Sequence, residues 1–399
     1  MGCTLMIHDI AQDLAKSAQD KAPVGSYTHN FYRYPARFSP TFAATAIRLF
    51  SKPGDIVLDP YMGGGTTVVE AMLAGRSAIG SDLNSLATFV TKAKTTRLDS
   101  SAKTALYRWA NQTIPRLKYN RPISSLSIDP YDNRTKNMNL PRARFIKKVI
   151  GTGIATTGNL PSAEARDFAR CAILKTAQWA LDGRKTHVSL SQYRRKLQEH
   201  IFEMLEQLET FVKTITARWT VFPSPLLLEG DASQIDKMPP FSTNNTKADL
   251  VVTSPPYPGL HVLYHRWQIN GRRETPAPYW ICGSQDGQGN SHYNFGSRYQ
   301  TGHNAYFDAS LRTLRAIRNV LRPGAYMVQL LAFSDPQTQF PRYLANMKAA
   351  GFKEIDFKQP DSLSCTPRIW RDVPNRKWHA TLQGKTCGSK EVVLVHEST

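Results

Sequence analysis

A chain of 399 residues, 41% hydrophobic and 21% charged, can bury a sizeable core and has neither a disordered nor a membrane composition. Its formal net charge of +20 points to a polyanionic partner, while five scattered cysteines without a Cys-x-x-Cys pair argue against a disulfide framework and a structural zinc site. No apolar run approaches the roughly 18–20 residues that span a bilayer, and the N-terminus lacks a secretory pattern, so a cytoplasmic location with no membrane and no metal partner is expected.

Residues 41–50 carry apolar side chains at helical spacing behind Ser39-Pro40, an N-terminal helix signal. After the turn Pro53-Gly54-Asp55, residues 56–59 read as a short buried strand ending in a carboxylate. A glycine-rich loop spans 60–67, a helix runs over 68–74 and stops at Gly75, and 77–82 form a second strand ending in an acid. Helix resumes from Asn84 to about Thr96, giving the first half of a doubly wound parallel sheet. Over 98–222 Lys and Arg outnumber Asp and Glu about two to one. There 120–160 lacks regular periodicity, whereas 162–180 and 189–220 read as helices, the second with a stripe through Leu197, Ile201, Leu205 and Leu208. Strand signals return at 225–228 and 248–253, followed by a polar, aromatic loop over 258–304. A helix over 306–321 ends at Arg322-Pro323-Gly324, and 326–331, 351–357 and 391–395 supply the remaining strands, with a helix near 340–350.

Several segments carry side chains suited to chemistry. In Asp59-Pro60-Tyr61-Met62-Gly63-Gly64-Gly65-Thr66-Thr67, Gly63 and Gly65 let the backbone bend towards a ligand, and the next helix offers unpaired N–H groups. A nucleotide-binding loop is the competing reading of a bare Gly-x-Gly. Asp82, some twenty residues beyond the glycines, stands where a carboxylate can take ribose hydroxyls or cap a helix. Asp231, in Gly230-Asp231-Ala232, ends the next strand and is equally a turn residue. Ser254-Pro255-Pro256-Tyr257 follows Leu250-Val251-Val252. Its prolines hold the backbone extended and leave neighbouring carbonyls without ladder partners. Those carbonyls and the Ser254 hydroxyl can accept from an exocyclic amine, and the Tyr257 ring can stack on a base. A Pro-rich turn closing a buried strand is the plain alternative.

Ser254-Pro255-Pro256-Tyr257 resembles the catalytic motif of the amino-methylating DNA methyltransferases of the N4/N6 superfamily, in the form that goes more often with cytosine N4 than with adenine N6. The segment from Asp59 to Thr67 resembles that family's Asp-Pro-Phe-x-Gly-x-Gly-Thr cofactor motif. His29-Asn30-Phe31-Tyr32-Arg33-Tyr34-Pro35-Ala36-Arg37-Phe38 resembles the segment that closes over the methionine end of the cofactor.

The resemblance implies an α/β, Rossmann-like, seven-stranded class I S-adenosylmethionine-dependent methyltransferase with a largely helical insertion. Residues 1–97 would form the N-terminal segment and cofactor-binding half, 98–222 the insertion and candidate DNA-recognition region, and 223–399 the catalytic half. It implies cofactor contacts from Tyr34, Pro35, Asp59, Pro60, Tyr61, Gly63, Gly65, Thr66, Asp82, Asp231 and Ala232. Ser254, Pro255, Pro256 and Tyr257 would act on a flipped base, without metal or covalent intermediate. The Pro-Cys motif of cytosine-C5 enzymes is missing. Phosphate contacts are expected from Arg142, Arg144, Lys147 and Lys148, and from Arg184, Lys185, Arg194, Arg195 and Lys196. Contacts near the base are expected from His265, Arg266, Trp267, Arg272 and Arg273, although a charge run is commonly a solvated face. The expected partner is double-stranded DNA, methylated at cytosine N4 in restriction–modification or phage defence, with a cognate restriction endonuclease as a candidate companion. Adenine-N6 methylation, RNA base methylation and a catalytically idle nucleic-acid binder are the alternatives.

Overall fold

In the computed structural model, the described residues are all except 1, 23, 36–38, 119–131, 185, 187, 259–265, 270–272, 286–294, 296–299, 356, 358–367 and 373–389. Helix α1 (Gly2–Ala18) precedes α2 (Pro40–Phe50), which starts where Ser39 Oγ accepts the Thr41 N–H and Pro40 occupies the first helical turn. Next come β1 (Ile56–Asp59), α3 (Thr66–Leu73), β2 (Ser77–Asp82) and α4 (Ser85–Thr95), the last capped by Asn84. The insertion contributes α5 (Ser100–Arg108), α6 (Pro141–Thr157), α7 (Ala163–Leu181) and α8 (Leu190–Arg218). Helix α8 begins with a full capping box between Ser189 and Gln192. There follow β3 (Leu226–Glu229), the single turn α9 (Phe241–Asn244), β4 (Ala248–Thr253), β5 (Trp267–Ile269), β6 (Arg273–Thr275) and α10 (Ala277–Cys282). The chain ends with α11 (Gln300–Val320), β7 (Leu321–Ala332), α12 (Pro336–Ala349), β8 (Phe352–Glu354), β9 (Ile369–Asp372) and β10 (Lys390–Ser398).

The main sheet runs β3-β2-β1-β4-β7-β10-β8. Strands β3, β2, β1, β4 and β7 are parallel, and β10 runs antiparallel to β7 and β8. The order reverses between β1 and β4, which opens a crevice at the carboxyl ends of those strands, the place where open α/β sheets bind ligands. This is the expected α/β, Rossmann-like sheet of a class I methyltransferase fold. One strand was not expected: β9 pairs the first half of β10, on the edge that β8 shares further along.

Other departures have physical causes. Helices α1 and α5 and the β5–β6 hairpin arise where no element was predicted, and α6 replaces much of the irregular 120–160 stretch. Gly151 and Gly153 each lower helix propensity by about 1 kcal/mol, and β-branched residues fill the rest of the second half of α6 apart from Ala155. Packing outweighs this: Ala143, Ile146, Val149 and Ile150 are buried, and Gly153 lets the helix approach Ile173 so closely that a Cβ would lie 3.3 Å from it. Arg322-Pro323-Gly324 lies inside β7 and not in a turn, since a register shift between Ala248 and Leu250 absorbs the extra residues.

The insertion is not a body apart. One hydrophobic core runs from Phe42, Val69 and Leu86 through Phe168 and Ile173 to Leu197 and Phe211. Among the described residues no helix is long and apolar enough to cross a membrane. At the junction, Trp219 donates its indole N–H to the Leu73 carbonyl and lies over Gly75, whose φ of +73° favours glycine. A Cβ at Gly75 would collide with the Trp219 ring. Gly75→Ala should therefore destabilise the fold by about 2–4 kcal/mol, from backbone strain plus overpacking. An unchanged urea midpoint would mean that Trp219 does not clamp the insertion to α3.

Candidate active site

The sequence-predicted groups converge at the carboxyl ends of β1, β2, β3 and β4. Asp59, 1% exposed, accepts the Thr253 hydroxyl at 2.7 Å and the Tyr61 N–H at 3.1 Å, so the ends of β1 and β4 are tied together at the strand reversal. Burial pushes its carboxyl up to about 6 against the hydrogen bonds that favour the charge, and Asp82 nearby adds repulsion. Asp82 accepts the Gly63 N–H and the Asn84 N–H, each at 2.9 Å, and burial likewise pushes it up to about 6. Glu229 of β3 lies opposite Asp82 in the ladder and repels it.

The loop between β1 and α3 is crowded from two sides. Gly65 has φ +74°, and a Cβ there would fall 2.5 Å from Thr91 Oγ1; one at Gly64 would fall 2.9 Å from Tyr34 Cβ. Lys94, fully buried on α4, donates from Nζ to the Gly64 carbonyl at 2.5 Å. Tyr34 accepts the Asn84 side-chain amide at 3.1 Å, and Tyr279 of α10 donates to Asn84 Oδ1 at 2.8 Å. His29 fastens the upstream segment to α3 by a buried 2.6 Å contact with Glu70. Pro35 is half-buried behind Tyr34; Pro60 and Thr66 are buried in the loop; Tyr61 packs edge-on against Phe295 at 5.8 Å. Asp231 is exposed and caps the 3-10 turn that begins with buried Ala232, accepting the Ser233 N–H at 2.8 Å.

Beyond β4, Ser254 Oγ donates to the Leu330 carbonyl at 3.1 Å, which leaves its lone pairs as acceptors, and lies 3.1 Å from the Tyr257 hydroxyl. The Pro256 carbonyl takes the Tyr306 hydroxyl at 2.8 Å. Among the described residues no donor is bonded to the Pro255 carbonyl. The Tyr257 ring, 9% exposed, faces the core, and its hydroxyl donates to Glu391 Oε1 at 2.8 Å. Glu391 Oε2 is in turn held by Arg371 at 2.5–2.6 Å, and Arg371 also donates to the Ala18 carbonyl at 2.9 Å. A buried ion pair on β9 and β10 thus fixes the tyrosine of the Ser-Pro-Pro-Tyr loop from behind.

The predicted phosphate contacts divide. Arg144 is exposed and Lys148 half-buried on α6; Arg195 is exposed on α8, 3.8 Å from Glu199. Lys147 does not reach a surface: it is 0% exposed and donates to Thr135 and Asn139, because its stem lies on the inner face of α6. Arg194 bonds the Leu117 carbonyl, Lys196 pairs with Glu199 at 3.0 Å, and Arg184 bonds the Trp179 carbonyl, so these cations already have partners. Trp267 is also in the core, its indole N–H on the Tyr32 hydroxyl. Arg266 is half-buried just before β5 and Arg273 exposed at the start of β6, whereas Lys185, His265, Arg272 and the side chain of Arg142 lie outside the described residues. Sequence reasoning missed Gly64, Asn84, Lys94, Glu229, Arg371 and Glu391. The third glycine and the acid ending β3 were visible signals; the rest depend on long-range packing. Among the described residues no His, Cys, Asp and Glu cluster is arranged to hold a metal ion.

The strand reversal, the glycine loop and the acids at consecutive strand ends together define the class I methyltransferase fold. Within that class, residues 11–90 match the DNA methylase model of the N6/N4 methyltransferase family. It is 34% identical over 117 residues to the type II methyltransferase M.MvaI of Kocuria varians, covering 29% of this chain and 24% of that one. It is 29% identical over 87 residues to the type II methyltransferase M.MjaII of Methanocaldococcus jannaschii, covering 22% and 16%. The chain thus spans a quarter or less of the length of these relatives. Among solved structures it is similar to TrmN from Thermus thermophilus, with 12% identity, TM-score 0.35 and coverage of 95% of this chain and 55% of that one. It is also similar to the rRNA methyltransferase aviRa from Streptomyces viridochromogenes, with 10% identity, TM-score 0.31 and coverage of 97% and 92%.

Glu391→Ala should strand the buried Arg371 charge and release the Tyr257 hydroxyl, costing about 3–5 kcal/mol, with Glu391→Gln milder because an acceptor remains. Chemical denaturation reads both, and wild-type stability in the alanine variant would remove the ion pair from the framework of the site.

Proposed function

We propose that the protein is an S-adenosylmethionine-dependent DNA methyltransferase that methylates the exocyclic N4 amine of a cytosine flipped out of the duplex. The observation that carries this reading is a pair of acceptors at the end of β4 beside the β1 loop: the Pro255 carbonyl, and Ser254 Oγ, which keeps a lone pair beyond its contacts with the Tyr257 hydroxyl and the Leu330 carbonyl. An exocyclic amine conjugated to its ring becomes nucleophilic only as its nitrogen pyramidalises and gains positive charge. Acceptors at Ser254 and Pro255 stabilise that charge in the transition state more than in the ground state. When bound, S-adenosylmethionine supplies an electrophilic sulfonium methyl; nitrogen gains the methyl and loses a proton, and S-adenosylhomocysteine leaves.

The residues present fit such a cofactor. Asp59 is buried and Asp82 half-buried, and desolvation pushes both carboxyls up to about 6, so a cationic amino-acid head answers a charge that the site disfavours. Glu229 and Asp231 offer further acceptors for hydroxyl and amino groups at the next strand end. The match of residues 11–90 to a DNA methylase model and the similarity to two type II methyltransferases support DNA as the substrate. A place in the cytoplasm, in restriction–modification or phage defence beside a cognate endonuclease, belongs to the same proposal. Because Tyr257 is turned inward, stacking on the flipped base requires its ring to expose a face or the neighbouring Tyr61–Phe295–Tyr306 run to supply one.

Mass spectrometry of nucleosides from DNA treated with the protein and S-adenosylmethionine tests the reading. N4-methylcytosine is expected; N6-methyladenine alone would move the target to adenine, and methylation of RNA alone would sink the DNA assignment.

Cofactor affinity should also depend on pH. The unfolded carboxyl value is 3.8, so in the free protein these two groups contribute stability below that pH and lose it as pH rises through about 6. A bound cation favours their charged forms and must displace protons below about 6. Affinity should therefore climb between about pH 5 and 7 and then level off. Asp59→Asn should flatten the climb and weaken binding roughly 10- to 100-fold near neutrality. A calorimetric pH profile that is flat in the wild type would take both carboxylates out of the cofactor site.

A further inference from the structure

We propose that the outer face of α6, carrying Arg144, Phe145 and Lys148, is a docking surface for duplex DNA in which the Phe145 ring packs on bases or sugars between phosphate contacts. This rests on the reading of the protein as a DNA methyltransferase. Phe145 is 53% exposed, the most exposed large aromatic side chain among the described residues. A single exposed phenylalanine is ordinary, but every charged residue near this one in sequence is a cation. Between Asp132 and Glu164 the chain has no carboxylate, against six basic residues: Arg134, Lys136, Arg142, Arg144, Lys147 and Lys148. Arg134 is neutralised by Asp132 at 2.8 Å, and Lys147 is buried. Arg144 and Lys136 are exposed and Lys148 is half-buried, and among the described residues no carboxylate pairs with any of the three.

Helical geometry places Arg144 and Lys148 one turn apart with Phe145 beside them, a like-charge arrangement that is mildly unfavourable without a counter-charge. The helix cannot roll to hide the ring, because Ala143, Ile146, Val149 and Ile150 are packed in the core on its other side. An aromatic flanked by cations matches the needs of a nucleic acid, whose phosphates take the charges and whose bases and sugars take the ring. The segment leading into α6 is also fastened to the region that follows the catalytic motif. Asn137 donates to the Glu274 carbonyl at 2.8 Å, and Arg134 donates to the Ser284 carbonyl at 2.9 Å. From α10, between those two points, Tyr279 reaches Asn84 at the cofactor loop. Duplex held on α6 therefore lies alongside the elements that frame the crevice.

The test uses the full chain and a mixed-sequence DNA duplex, with anisotropy followed across a salt series. Phe145→Ala should weaken binding on the order of tenfold with little change in the slope of log affinity against log salt. The double variant R144E/K148E should reduce that slope by about two. Both variants should retain wild-type S-adenosylmethionine affinity by calorimetry, since neither residue touches the cofactor loop. Wild-type duplex affinity and slope in both variants would overturn the proposal while leaving the methyltransferase reading intact. A wild-type protein that neither binds the duplex nor methylates genomic DNA would instead overturn that reading, and this surface with it.

Discussion

Two carboxylates forced into one desolvated crevice organise the rest of this structure. Parallel strands β1 and β2 end side by side, and each ends in aspartate, so Asp59 and Asp82 meet where the sheet reverses. Like charges in a buried site need donors. Thr253 and the Tyr61 N–H serve Asp59, while the Gly63 and Asn84 N–H groups serve Asp82. Those bonds dictate the course of the glycine loop and the start of α4. They also lock β4, and with it the Ser-Pro-Pro-Tyr loop, against β1. The remaining electrostatic demand is for positive charge, which the cationic methyl donor of the proposed reaction would meet next to the Ser254 and Pro255 acceptors.

The Ser-Pro-Pro-Tyr loop shows the complementary constraint. Its prolines stiffen the backbone, but the direction of Tyr257 is fixed by residues over a hundred positions away. Glu391 and Arg371 sit on the last strands, and Arg371 reaches back to the carbonyl that ends α1. Both ends of the chain are therefore needed to hold one tyrosine. A buried ion pair is a poor source of net stability, since desolvation offsets most of its attraction. Its value at this position is geometric: losing either partner leaves an unpaired charge, so the alternative orientations of Tyr257 are disfavoured.

The parts of the molecule legible in the sequence are those with local causes. A short apolar run ending in an acid, then glycines, then a helix, states β1, the loop and α3 within eighteen residues of the chain, from Ile56 to Leu73. Helices α7 and α8 were visible through their caps and stripes. Helix α6 was not, because glycines and β-branched residues hide a helix that only its packing stabilises. Lys147 and Trp267 were read as surface groups and are buried: an amphipathic stem goes inward when distant residues, here Thr135 with Asn139 and Tyr32, meet its polar end. Glu391 and Lys94 had no local signal at all.

The shared core decides how the insertion can act. Gln178 and Asp182 of the α7 region bond Arg33, next to the Tyr34 that covers the glycine loop, and Trp219 closes the end of α8 over Gly75. A recognition module joined by a linker would search for its target independently of the crevice. Here the charged faces of the insertion are set at fixed distances from the glycine loop by interdigitated side chains, and such interiors deform little. Any duplex that binds the insertion is consequently presented to the crevice in a defined register. On the proposed reading, the choice of base at Ser254 would depend on where the helical faces sit, and residues that place those helices would contribute to specificity without touching DNA.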